Sequence, residues 1–394
     1  MNRATKPSRG RQLAAACIVA AGFCFLAAIY SVSLTDANAA RRDFIGYWAA
    51  ARQMVHGADP YNADAVLRLE KSVGLGQLQI KLTPSPPAGL ALILPIGCMS
   101  AKNGLVFWMM LQLACLAGSI GILWLLLGKP ATRLHLFGFL FAPALACIMA
   151  GQVGVLCLFG ITLFLFLHKS RPFFAGAALL PCSLKPHLFL PVILVLLLWV
   201  IAEKAYRLIA GFLVTLAASD AIVTFYDRDV WSQYLAMLRA GGLHGRFAPT
   251  LSAYLRWDIH PQAGWLEYLL TAIACVWAVW YFWRRRRQWR WTNEGMLILL
   301  VAIACAPYAW ITDEAILLPA VLLAVFHALA SRRSLLPIAL FAAVALIELF
   351  CDVRITSWYY TWTAPAWLLW FLYATRLPSI ANPTESLSSF VDRA

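Results

Sequence analysis

WLEYLLTAIACVWAVWYFWRRRR, residues 265–287, is an apolar run interrupted by a single acid, Glu267, and closed by four arginines. A helix of about 20 such residues matches the thickness of a bilayer's hydrocarbon core, and basic residues gather on the cytoplasmic side of such helices. The segment therefore reads as a transmembrane helix running inward. Arg284-Arg285-Arg286-Arg287 is the strongest topology marker in the chain.

The rest of the chain has the same character. Of 394 residues, 62% are hydrophobic and 13% charged, against about 25% charged in ordinary soluble domains. The formal net charge of +14 sits in short clusters between apolar runs, as the positive-inside rule expects, and not in a continuous basic face. Nucleic-acid binding is excluded on that ground. The ten cysteines contain no Cys-x-x-Cys pair, and most lie within apolar runs as small hydrophobes, so neither a disulfide framework nor a zinc pattern is present.

Counting outward from the arginine cluster gives an all-α polytopic membrane protein with about twelve transmembrane helices. Leu13 to Leu34, preceded by Arg3, Lys6, Arg9 and Arg11, is expected to be an uncleaved first span; Ala37-Asn38-Ala39 resembles a signal-peptidase site, but the apolar run is longer than a signal peptide's. Ala88 to Met99 is too short to span and is expected to be re-entrant or interfacial. Two hairpins are broken at Gly151-Gln152 and at Lys185-Pro186-His187. Residues 1–377 form one transmembrane domain with external loops at 35–84 and 226–264. Both termini are expected to be cytoplasmic, and the polar tail 378–394 disordered.

The first external loop opens with Arg41-Arg42-Asp43-Phe44-Ile45-Gly46-Tyr47-Trp48. Phe44, Tyr47, Trp48, Ala51 and Val55 share a helical face, and Gly57 suits a C-cap, so a helix is expected from Phe44 to about His56. Asp59-Pro60-Tyr61-Asn62 should form a turn, followed by a second amphipathic segment from Ala63 to Lys71. Helices lying on the bilayer suit a site that admits a lipid-linked substrate from the side. Asp43 has two readings: an N-cap of the helix, or a catalytic base.

Charges at span ends are costly, and Asp43, Lys185, Asp313 and Glu314 all map to the outer side, with Gln152 and His187. Lys185, beside a proline-broken span, is either a phosphate ligand or a cation reaching the headgroups. Asp313 is either part of a pocket or a cap of the following helix.

The succession Asp43-Phe44 with Tyr47, Gly57 with Pro60-Tyr61, Pro86-Pro87 with Pro95, Gly151-Gln152, Ala175-Gly176 with Leu184-Lys185-Pro186, and Pro307-Tyr308 with Asp313 and Leu318-Pro319 resembles glycosyltransferase family 87. The resemblance covers roughly residues 13–329. Two positions depart from the family pattern: Ser85 stands where Tyr commonly precedes the Pro-Pro pair, and Tyr308 where His commonly follows the later Pro. They bear on the sugar carried more than on the reaction.

The resemblance implies a C-type glycosyltransferase fold and transfer of mannose or another sugar from a polyprenyl-monophosphate donor to a hydroxyl of a glycolipid, polysaccharide or glycan acceptor. It places the enzyme in a bacterial inner membrane, with its active site on the periplasmic face. Asp43 would be the base. Lys185, His187 and Arg246 would bind the donor phosphate, and Tyr47, Tyr61, Gln152, Tyr308, Asp313 and Glu314 would line the sugar and acceptor pocket. Since a lipid phosphate leaves readily, cations alone suffice and no cofactor is called for; a divalent metal stays open. The rival is a transporter or flippase, whose discontinuous helices would resemble the two broken hairpins.

Overall fold

The computed structural model describes residues 9–76, 81, 83–240, 248–331, 336–353 and 360–376, and every regular element among them is helical. Among the described residues, four helices are long and apolar enough to cross a membrane alone: Ala101–Leu126, Tyr206–Tyr226, Leu266–Gln288 and Ile311–Leu329. A fifth span arises if Arg133–Leu140 and Ala142–Ala150, bent by 42° at their junction, are counted together. Shorter apolar helices, among them Gly154–Leu167, Leu190–Ala202 and Glu294–Ala304, fill the spaces between. The chain is a multi-pass membrane protein.

Burial separates the centre from the rim. Of the apolar window of Ile311–Leu329, 83% is buried inside the protein, against 22% for Tyr206–Tyr226 and 28% for Leu266–Gln288. These outer helices turn Leu213, Val214, Phe225, Ile273, Val276 and Trp280 outward. Such a surface would be a liability in water and is the normal solvent-facing surface in hydrocarbon.

The first external loop departs from expectation in one respect. Its helix forms over Phe44–Val55 and ends at a left-handed Gly57, close to the expected boundaries. It does not lie on a surface: Phe44 through Ala51 and Met54 are all buried. The opposite flank, with Ile45, Ala49 and Ala50, is as apolar as the first, and a helix apolar on all sides belongs inside. Short helices Pro87–Leu90 and Leu94–Gly97 follow, too brief to cross a membrane. The second packs directly on the buried helix, since a Cβ at Gly97 would stand 2.4 Å from the Ala51 carbonyl oxygen. Ala63–Ser72 forms as the second loop helix, capped by the Asn62 side chain and burying only Val66 and Glu70.

In the second external loop, Val230–Arg239 and Leu251–Ile259 are helical. Arg256 is tied there to Glu267 at 2.5 Å and to the Pro261 carbonyl. Residues 241–247 and 377–394, and with them Arg246 and the tail, lie outside the described residues.

Candidate active site

Three residues at the first hairpin break, Met149, Gly151 and Gln152, dock onto Arg42, Asp43 and Phe44 at the start of the buried loop helix. Arg42 donates to the Met149 carbonyl. Gly151 sits against Phe44, and Gln152 Nε2 donates to Asp43 Oδ2 at 2.9 Å. Gly151 closes the Ala142–Ala150 helix at φ +72°, a conformation that an L side chain adopts at a cost. Any Cβ there would also come within 2.5 Å of Phe44 Cβ. Glycine at 151 is thus what lets the break reach Asp43. Trp108, from the neighbouring span, fastens the same turn by donating to the Gly151 carbonyl at 2.8 Å.

Asp43 occupies the N-cap position, yet its side chain makes no cap hydrogen bond. The carboxylate is turned to other partners: Oδ2 to Gln152, and Oδ1 to Lys81 Nζ at 3.0 Å. It is 45% exposed, set beside a buried helix. The Gln152 amide is oriented at both ends, because Tyr47 donates its hydroxyl to Oε1 at 2.8 Å. Reversing the amide would set its oxygen against a carboxylate, acceptor to acceptor.

A second ion pair stands nearby. Lys185 Nζ donates to Asp313 Oδ1 at 2.7 Å, and Asp313 Oδ2 accepts the Trp310 backbone N–H at 3.1 Å. Asp313 is fully buried and Lys185 is 8% exposed. Lys185 therefore does not reach out to headgroups, and Asp313 both caps the Ile311–Leu317 turn and pairs with the lysine. Tyr47 links the two pairs. Its hydroxyl is pushed above the ordinary tyrosine range, foremost by burial, with Lys185 acting to lower it and Asp313 and Asp43 to raise it. All three charges lie within electrostatic reach of this one hydroxyl. His187 completes the group: its Nε2 is buried without a hydrogen-bond partner, and its ring meets Tyr308 edge-on at 6.1 Å.

Two expected site residues face elsewhere. Tyr61 donates to the Ser85 carbonyl at 2.7 Å and packs on Tyr234, which fixes the chain just before Pro86-Pro87. Glu314, next to Asp313, accepts from Thr363 and meets the carboxyl of Glu348; it lines a separate cleft with Pro249 and Thr250. In a tight helix of three residues per turn, neighbours point about 120° apart, and that divides the two acids. Among the described residues no three His, Cys, Asp or Glu side chains come together as metal ligands.

The profile of glycosyltransferase family 87 matches residues 85–307, more than half of the chain. The chain belongs to glycosyltransferase family 87. No curated protein and no solved structure matched it. Family 87 membership makes the chain a glycosyltransferase and does not favour the transporter alternative. The match begins beyond Asp43 and Lys81, whose place in the site rests on geometry. Lys81 escaped the sequence reading: it is one of two lysines and four arginines in the first external loop, and nothing local singles it out.

Proposed function

We propose that this family 87 enzyme is an inverting transferase. It would move a sugar from a polyprenyl monophosphate to a hydroxyl of a glycolipid or glycan on the periplasmic face of a bacterial inner membrane. In this reading the chain has a C-type fold of about twelve spans with cytoplasmic termini. The observation that carries it is the Asp43 carboxylate: half-open, held on both oxygens, and set beside a buried lysine–aspartate pair.

Asp43 takes the proton of the acceptor hydroxyl while that oxygen attacks the anomeric carbon from the side opposite the phosphate. The bond between the anomeric carbon and the phosphate oxygen breaks, its electron pair leaving with the lipid phosphate. Proton removal by a placed base is worth about 10² to 10⁴ in rate. The growing negative charge falls to Lys185, with His187 and Arg246. An ammonium carries three donors, and the bond to Asp313 leaves Lys185 with capacity for a phosphate oxygen. Tyr47, Gln152, Tyr308 and Asp313 would edge the sugar and acceptor pocket; Tyr61 and Glu314 act behind it, through Ser85 and Thr363.

The test is a transfer assay with protein purified into nanodiscs, a panel of polyprenyl-phosphate sugars and a host lipid extract as acceptor. One donor is expected to be consumed, with a product of inverted anomeric configuration by NMR. Turnover of nucleotide sugars instead, or a product of retained configuration, would overturn the proposal.

A further inference from the structure

Four contacts fix Lys81. Its backbone N–H lies 3.3 Å from each oxygen of the buried Glu70 carboxylate. Its carbonyl rests on Gly46 of the loop helix, where a Cβ would stand 1.9 Å from the oxygen. Its Nζ donates to the Arg41 carbonyl at 3.3 Å and to Asp43 Oδ1 at 3.0 Å. The backbone of a loop residue is thus pinned on both sides, and the side chain that it carries ends on Asp43.

Stability does not account for this arrangement. The two side chains are 25% and 45% exposed, and ion pairs so open to solvent contribute about 0–1 kcal/mol. The geometry suits a different purpose. An ionised carboxylate offers about four lone-pair sites. Lys81 occupies one on Oδ1 and Gln152 one on Oδ2, leaving one on each oxygen for an incoming hydroxyl. Gln152 is itself held by Tyr47.

Resting on the assignment of Asp43 as the base, we infer that Lys81 and Gln152 are its positioning residues: Gln152 holds Oδ2 and Lys81 holds Oδ1, which together fix the direction in which the carboxylate meets the incoming hydroxyl. After each transfer Asp43 holds the acceptor's proton. That proton then passes to water, which restores the base. Lys81 needs no contact with the donor.

Steady-state kinetics of Lys81→Met, Lys81→Arg and Gln152→Leu in nanodiscs, with the donor found active for the wild type, test the inference. Lys81→Met and Gln152→Leu are expected to lower kcat about 10- to 100-fold, the scale of a misplaced catalytic group. For Lys81→Met the donor KM should stay within about threefold, since no ground-state contact with the donor is lost. Lys81→Arg, which keeps the cation, should recover most of the loss. The thermal midpoint should move by no more than about 4 °C, the most that a solvent-open ion pair supports. The inference is overturned if Lys81→Met keeps kcat within about threefold of wild type. It is equally overturned if the whole loss sits in the donor KM, which would make Lys81 a substrate contact. A wild type that uses no polyprenyl-phosphate donor sinks the underlying assignment of the base instead, and is told apart by failing before any variant is compared.

Discussion

Two lysine–carboxylate pairs each set a charge within electrostatic reach of Tyr47, and they are built in opposite ways. Lys185–Asp313 is closed at 2.7 Å, with side-chain exposures of 11% and 0%; Lys81–Asp43 is looser at 3.0 Å, with exposures of 25% and 45%. A buried pair withdraws both charges from water and holds its geometry against thermal motion, whereas an exposed pair keeps its carboxylate within reach of other molecules. In the proposed mechanism this divides the labour: the closed pair holds a lysine in a fixed place for the phosphate, and the open pair presents the base.

Breaking the closed pair from one side should have the largest effect on stability. Asp313→Leu leaves Lys185 charged and buried without its partner, a situation that costs about 3–5 kcal/mol, and also removes the acceptor of the Trp310 N–H. A large drop in the thermal midpoint of the detergent-purified protein is the expected readout. Combining it with Lys185→Met should regain most of the loss, as apolar replacements of buried pairs commonly do.

Next in size is the joint that brings the open pair together. Gly151→Ala forces a side chain into the left-handed region, at about 1–2 kcal/mol, and against Phe44. It should lower stability moderately while pushing Gln152 away from Asp43, so that transfer falls further than folding does. Circular dichroism melting and the transfer rate, measured on one preparation, separate the two.

The smallest effect concerns Glu70, which holds the Lys81 backbone. Burial, foremost, raises its pKa, with the N–H and charge of Lys81 pulling it back. The folded protein therefore binds the Glu70 proton more tightly than the unfolded chain does. This contribution to stability is fully present below the ordinary glutamate range and fades as pH rises through the raised value. Glu70→Gln should flatten that part of the stability–pH curve, as followed by thermal melts across mildly acidic pH.

Much of this site was legible in the sequence, for identifiable reasons. Gly57 and the apolar spacing after Asp43 marked the loop helix to within a residue, because caps and periodicity are local. The Gly151 break was visible because only glycine takes its conformation cheaply. Burial of the loop helix was written in Ile45, Ala49 and Ala50, apolar residues on the face assigned to solvent. Two features were not readable. Lys81 lies in a stretch without periodicity, and its role depends on Glu70 and Gly46, distant in sequence. The parting of Glu314 from Asp313 depends on a three-residue turn that composition does not announce. Of the twelve expected spans, four stand as single long helices among the described residues, with a fifth if the pair bent by 42° is counted as one, and the other apolar helices there are too short to cross alone.

The central claim is that Asp43 acts in chemistry and is not there to cap a helix. The most direct measurement compares wild type with Asp43→Asn for transfer from the active donor, alongside their thermal midpoints. Asparagine keeps the size and can still bond Gln152 but cannot take a proton. The account predicts a loss of about 10² to 10⁴ in rate with a midpoint within about 4 °C of wild type. An Asn variant that transfers sugar within about tenfold of wild type would contradict it, since loss of a true base costs more than that.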